Sequence, residues 1–171
     1  MMLPRPAGDG LQEEPLQEEL QQIIVSTTRE IFDTMIPMDL SAGPPATAQV
    51  QSFRCHVSGI LGFSGDIRGM VTIHCPDAVA MAITANFLGM DVKEVNDDVI
   101  DAIGELANMV TGGIKEAFSA NNQDIKLSVP TVVAGKSYNI NNLTDADWVI
   151  IPFTVAEGTF LVELKIKPQK S

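Results

Sequence analysis

The sequence predicts an α+β domain, an antiparallel β-sheet covered by long helices, with elements in the order α-β-β-α-α-β-β-β. Three observations lead there. Two stretches repeat apolar residues at steps of three and four, the spacing of an amphipathic helix. Strand-like runs rich in Val, Ile, Thr and Phe are joined by short turns, which fits hairpins and not the long crossovers of a parallel sheet. Hydrophobic residues make up 45% of the 171, so the chain can bury a sizeable core.

Residues 1–15, MMLPRPAGDGLQEEP, carry Pro, Gly and acids and read as a flexible acidic arm ahead of a single domain spanning 16–171. From about Leu16 to Met35, the apolar positions Leu20, Ile24, Thr27, Ile31 and Met35 share one side of a helix, and Pro37 ends it. The stretch SAGPPATA, Ser41–Ala48, is a loop. Gln49 to Phe63 reads as a long strand, and GMVTIHC, Gly69–Cys75, as its return strand across the turn SGDIRG. Pro76 and Asp77 open a short second helix that Gly89 closes. Asn96 caps a third helix, whose first acids Asp97 and Asp98 suit the positive end of the helix dipole; Asn121 and Asn122 end it. Lys126–Lys136, Trp148–Val155 and Thr159–Lys167 read as strands. The last two form a hairpin about Glu157-Gly158, and Tyr138–Asp147 is an exposed loop.

Charge narrows the function. The net charge is −11 and no Lys or Arg cluster is present, which argues against a nucleic-acid partner. No apolar run reaches the ~18 residues of a membrane span. The N-terminus lacks the apolar stretch of a secretory signal, so the expected location is the cytoplasm, with no membrane partner. Two cysteines are too few for a disulfide framework. Cys55-His56 and His74-Cys75 mirror each other about Gly65, which would set Cys55 opposite Cys75 and His56 opposite His74. Strand alternation would then send thiols and imidazoles to different faces, so no metal site is expected.

The third helix contains DAIGELANMVTGGIKEAF, Asp101–Phe118. At about 100° per residue, Val99, Leu106, Ala107, Val110, Ile114 and Ala117 fall within roughly 60° of Ile103 and make the buried stripe. Asp101, Glu105, Asn108 and Gly112 line up on the opposite side. A solvated face would ordinarily carry Lys and Glu pairs. Glycine inside a helix costs ~1 kcal/mol relative to alanine. A bare position beside an acid and an amide therefore reads as a docking ridge: Glu105 to grip, Asn108 to hydrogen-bond, Gly112 to make room. Gly113 reads instead as a close internal approach. The plain alternative is a water-facing helix, and spacing alone leaves the two undecided. Asp101 reads either as a helper at the interface or as a solvated acid.

The pattern Asp101-xxx-Glu105-xx-Asn108 followed by Gly112 resembles the signature of the CheC/CheX/FliY phosphatases of bacterial chemotaxis. GDIRG before a strand, LSVPTVVAG (Leu127–Gly135) after the helix and a closing hairpin agree with it. One good motif and the chain's length place it nearest the CheX branch, over Ile24 to Lys167. The resemblance implies hydrolysis of the aspartyl phosphate on a phosphorylated CheY-like response regulator, with the helix entering the regulator's active site. Glu105 and Asn108 would be catalytic, Glu105 pairing with a lysine in the regulator's pocket and Asn108 orienting the attacking water. Asp101 and Gly112 would touch the partner. The implied protein has no cofactor of its own, because Mg2+ belongs to the regulator, and it forms a homodimer through its sheets. The rival reading is a module that binds a response regulator or a flagellar-switch partner through the same ridge without catalysis. The chain also echoes itself: a slide of 75 residues sets Ser26-xxx-Glu30-xx-Asp33 on the same pattern. Asp33 replaces the amide and Pro37 stands where Gly112 would, so only the third helix is expected to be active.

Overall fold

Alternation along the strands decides which face of the sheet is covered. The computed structural model describes residues 13–50, 52–140 and 146–168. The chain runs α1 (Glu13–Thr34), β1 (Ser41–Ala42), β2 (Ser52–Gly65), β3 (Ile67–Pro76), α2 (Asp77–Leu88), α3 (Asp97–Ser119), β4 (Ile125–Leu127), β5 (Thr131–Asn139), β6 (Asp147–Val155) and β7 (Gly158–Pro168). The strands form one antiparallel seven-stranded sheet in the order β1-β6-β7-β3-β2-β4, and β5 shares the outer edge of β2 with β4. Val57 and Phe63 of β2, Val71 and Ile73 of β3, Ile151 and Phe153 of β6, and Val162 and Leu164 of β7 are buried together with the apolar sides of the helices. Each is an alternate position of its strand, so all point to one face. This is the expected α+β arrangement.

Each helix is held by its own chemistry. Phe32 of α1 stacks on Phe160 at 5.7 Å between centroids, and Phe160 on Phe153 at 5.5 Å. Pro76 precedes α2, and Gly89 ends it in the left-handed region with φ 68°. The Asn96 side chain accepts a hydrogen bond from the Val99 N–H at 3.1 Å and caps α3. α3 lies very close to the sheet. A Cβ on Gly59 would sit 3.0 Å from the Ile103 carbonyl oxygen and 3.2 Å from the Ala107 Cβ. Farther along, Phe118 meets Phe63 edge-on at 6.0 Å. α3 therefore follows β2 in the same direction.

The structure departs from the sequence reading in several places. α1 begins at Glu13, inside the expected arm; residues 1–12 lie outside the described residues. Its buried side is Leu20, Ile23, Ile24, Thr28, Ile31 and Phe32, whereas the expected Met35 lies beyond the helix end at Thr34 and is half exposed. The loop Ser41–Ala48 contributes β1, which pairs with β6 at Phe153 and Thr154. The single strand expected over Lys126–Lys136 is two strands. Pro130 has no N–H to donate, and Ser128 folds back on Gly62 through a 2.9 Å bond from its N–H to the Gly62 carbonyl. The hairpin register also differs. The Asp66 N–H donates to the Asp124 carbonyl at 2.9 Å, and the Asp124 N–H donates to Asp66 Oδ2 at 2.8 Å. These bonds hold the turn one residue later than the mirror about Gly65 requires. Val57, not Cys55, faces Cys75, and Ser58, not His56, faces His74; the Cys55 side chain lies outside the described residues. Tyr138 and Asn139 extend β5 and Asp147 opens β6; residues 141–145 of the expected loop lie outside the described residues. Among the described residues, no helix is long and apolar enough to cross a membrane.

The adjacent glycines of α3 have opposite surroundings. A Cβ on Gly112 would meet nothing within 4 Å, whereas a Cβ on Gly113 would run into the Thr27 side chain of α1. Gly113→Ala is expected to destabilise the fold by about 1–3 kcal/mol through overpacking. Gly112→Ala is expected to leave stability unchanged or raise it by up to ~1 kcal/mol through helix propensity. Denaturant titration of both variants checks the contrast.

Candidate functional site

The site is a helix side, and three contacts set which side it is. Beneath α3 lies Gly59 of β2. On one flank the Val132 side chain of β5 would sit 3.2 Å from a Cβ on Gly104, and on the other Thr27 packs at Gly113. The remaining side faces away from the molecule. Asp101, Glu105 and Asn108 are exposed there, and Gly112 is partly buried. Residues three and four apart on a helix are neighbours, so the four form one continuous line. Among the described residues, no hydrogen bond or ion pair occupies the Asp101, Glu105 or Asn108 side chain. A carboxylate that only accepts and an amide that both donates and accepts are thus open to a partner.

The line is a ridge and not a cleft. Three surface depressions, of about 460, 370 and 280 Å³, are lined elsewhere, and none includes any of the four residues. The first lies against α1, between Ser26, Arg29 and Pro45. Small-molecule sites are concave, so a convex ridge with free polar groups suits a macromolecule that brings the pocket itself. On α1 the echo residues Ser26, Glu30 and Asp33 are also exposed. Asp33 lies one residue before the helix ends, so no further turn follows it.

An antiparallel sheet covered on one face by helices, one of them turning a polar ridge outward, defines an α+β domain. The comparisons with known proteins specify the family. The family model described as "Chemotaxis phosphatase CheX" matches residues 57–154, more than half of the chain. The curated "CheY-P phosphatase CheX" of Thermotoga maritima is 21% identical over 120 residues, covering 70% of this chain and 77% of that protein. The crystal structure of the chemotaxis protein CheX from Vibrio vulnificus superposes with a TM-score of 0.78 at 29% identity, over 87% of this chain and 99% of that one. The Borrelia burgdorferi CheX–CheY–BeF3–Mg2+ complex matches with a TM-score of 0.71 at 15% identity, over 86% and 97% of the two chains. The chain belongs to the CheX family of chemotaxis phosphatases.

On the sheet face away from the helices lies a polar chain that the sequence reading missed. There His74 was set opposite His56 and weighed only as a metal ligand. In the structure His74 Nδ1 is 2.8 Å from Ser58 Oγ, which is 2.8 Å from Tyr138 Oη. His74 Nε2 lies at the long distance of 3.5 Å from Glu163 Oε1, and the Gln49 amide donates to Glu163 Oε2 at 3.2 Å. Ser58, His74, Glu163 and Lys165 are all buried. The signal was available as polar residues at alternate positions of three strands, but which strands adjoin is set by long-range pairing. Burial, the largest cause, holds His74 below its ordinary pKa, against the opposing pull of Glu163. Burial also pushes the Cys75 thiol far up, which makes it unreactive.

A depressed histidine pKa has a definite sign. Below the ordinary value of 6.5, the unfolded chain binds a proton that folded His74 does not yet accept. The unfolded state then holds more protons, so stability falls as pH drops through that window and is fully present above it. Between about pH 7 and pH 5 the wild type is expected to lose stability more steeply than His74→Gln. Parallel slopes in denaturant titrations at several pH values would refute this.

Proposed function

We propose that this chain hydrolyses the aspartyl phosphate of a CheY-type receiver domain, with α3 inserted into the receiver's active site. The observation that carries the reading is the free Asn108 amide on an exposed ridge, one turn from a glycine with open space around it. Membership of the CheX family supports it, as do the T. maritima relative's name and the fold shared with a CheX crystallised with CheY, BeF3 and Mg2+.

The chemistry asks little of the protein. Aspartyl phosphate has a good leaving group, and the receiver's Mg2+ supplies charge to the phosphoryl oxygens. What must be added is a water held in line with the scissile P–O bond. Asn108 holds it by accepting from the water's O–H while donating to a neighbouring oxygen. The water oxygen bonds to phosphorus, the aspartyl P–O bond breaks, the aspartate is regenerated and the water's proton leaves with the products. The gain is positional. Glu105 pairs with a lysine of the receiver pocket and fixes the approach, Asp101 adds attraction to cations at the rim, and Gly112 lets the receiver backbone come near. A second copy joined through a sheet edge leaves this ridge free, so a homodimer is compatible with docking. Such a substrate places the work in the cytoplasm.

Inorganic phosphate release from a phosphorylated CheY-type receiver tests the reading. Asn108→Ala is expected to cut the catalysed rate on the order of 10²-fold, as for loss of a single positioned hydrogen-bonding group. Asn108→Asp should fall as far, because a carboxylate repels the phosphoryl group. Glu105→Ala should chiefly raise KM, and Asp33→Asn should gain little. All three positions are exposed, so stability should change by no more than ~0.5 kcal/mol in each variant. Equal phosphate release by wild type and Asn108→Ala would leave a docking module without catalysis.

A further inference from the structure

The turn between β4 and β5 carries an apolar side chain that the fold does not use. Val129 is 83% exposed, whereas the other exposed large apolar residues among those described lie between 45% and 50%. The turn is firmly held. The Ser128 N–H donates to the Gly62 carbonyl at 2.9 Å, the Gly62 N–H donates to Ser128 Oγ at 3.0 Å, and the strands on either side both pair with β2. Pro130 fixes its own φ as well. A valine is therefore presented to water by a rigid support.

The topology places this valine beside the ridge. α3 follows β2 from Gly59, under Ile103 and Ala107, to Phe63, beside Phe118. β5 and β4 run antiparallel to β2, with Val132 opposite Gly59 and Leu127 opposite Phe63. Going from Val132 back to Val129 thus moves along α3 toward its C-terminus. Three strand residues span ~10 Å, which is about seven residues of helix. Val132 packs at Gly104, so Val129 lies level with the stretch from Asn108 to Gly112. The flank agrees too. Asn108 follows Gly104 by one turn and lies about 40° round the helix from it, so it stands on the β5 side of the outward line, whereas Gly113 faces α1.

We propose, resting on the phosphatase reading, that Val129 is the apolar anchor of the surface that receives the receiver domain. The footprint runs from Asn108 across the β4–β5 turn, and the matching patch on the receiver is apolar and borders its phosphorylation pocket. Val129 touches no reacting atom, so it sets affinity and KM and leaves kcat alone.

The experiment compares the full chain with Val129→Gln, Val129→Ile and Asn108→Ala. Affinity is measured for a CheY-type receiver activated with BeF3 and Mg2+, kinetics by phosphate release, and melting temperature and oligomeric state are recorded alongside. Val129→Gln is expected to weaken binding and raise KM roughly five- to tenfold, with kcat, melting temperature and oligomeric state unchanged, and Val129→Ile to keep wild-type values. Asn108→Ala is expected to lose kcat and keep its affinity. Unchanged affinity and KM in Val129→Gln would overturn the anchor while leaving the phosphatase intact. A lowered melting temperature or an altered oligomeric state would overturn it as well, making the turn a structural or dimer element. If Asn108→Ala matches wild type in phosphate release, the phosphatase reading fails, and the affinity of Val129→Gln still decides whether the anchor exists.

Discussion

The rotation of α3 about its own axis is the constraint on which the rest depends. A helix turns by about 100° per residue, so a rotation by one position would carry Asn108 round to a flank. Three contacts prevent it, and each uses a missing side chain. Gly59 lets Ile103 and Ala107 settle onto β2, Gly104 receives Val132, and Gly113 receives Thr27. Glycine costs strand and helix propensity alike. Here the cost is offset by close packing on three sides, which leaves a single side of the helix unclaimed.

Seen this way, the paired glycines at 112 and 113 have separate reasons. Gly113 is the inward one, since Thr27 occupies the space its side chain would need. Gly112 has open surroundings and no packing reason to be glycine. Its cost to the helix has no return within the chain, which is why the return is sought in a partner that must come close beside Asn108. Local choices that disagree with local stability are where function is to be expected.

Much of this was legible in the sequence, and the misses share a cause. The limits of α2 and α3, the buried stripe of α3 and the β6–β7 hairpin follow from local signals: caps at Asn96 and Gly89, a period near 3.6, and the turn at Glu157-Gly158. The outward side of α3 was legible because it is the complement of that stripe. The hairpin register was not, because the Asp66–Asp124 bonds that set it join residues 58 positions apart. β1 needs β6 to be a strand at all. The Ser58–His74–Glu163 chain requires knowing that β2, β3 and β7 adjoin. The break at Pro130 is different. A proline inside a strand run carries its own warning, and the single strand drawn over Lys126–Lys136 ignored it.

α1 and α3 place their outward residues alike but differ in chemistry. α1 exposes Ser26, Glu30 and Asp33 much as α3 exposes Asp101, Glu105 and Asn108. Two differences separate them. Asp33 offers only acceptors at neutral pH, so it cannot donate as an amide does, and its charge opposes a phosphoryl group. The helix also ends at Thr34, whose hydroxyl turns back to the Glu30 carbonyl at 2.7 Å, so the position that would match Gly112 falls at Pro37, beyond the rod. α3 continues through Ser119, about three turns past Asn108. A partner closing over Asn108 therefore meets a straight helix on both sides of the amide, whereas one closing over Asp33 would meet a chain already leaving the surface. If phosphate hydrolysis depends on a water held between fixed groups, only the longer helix supplies both the group and the fixity.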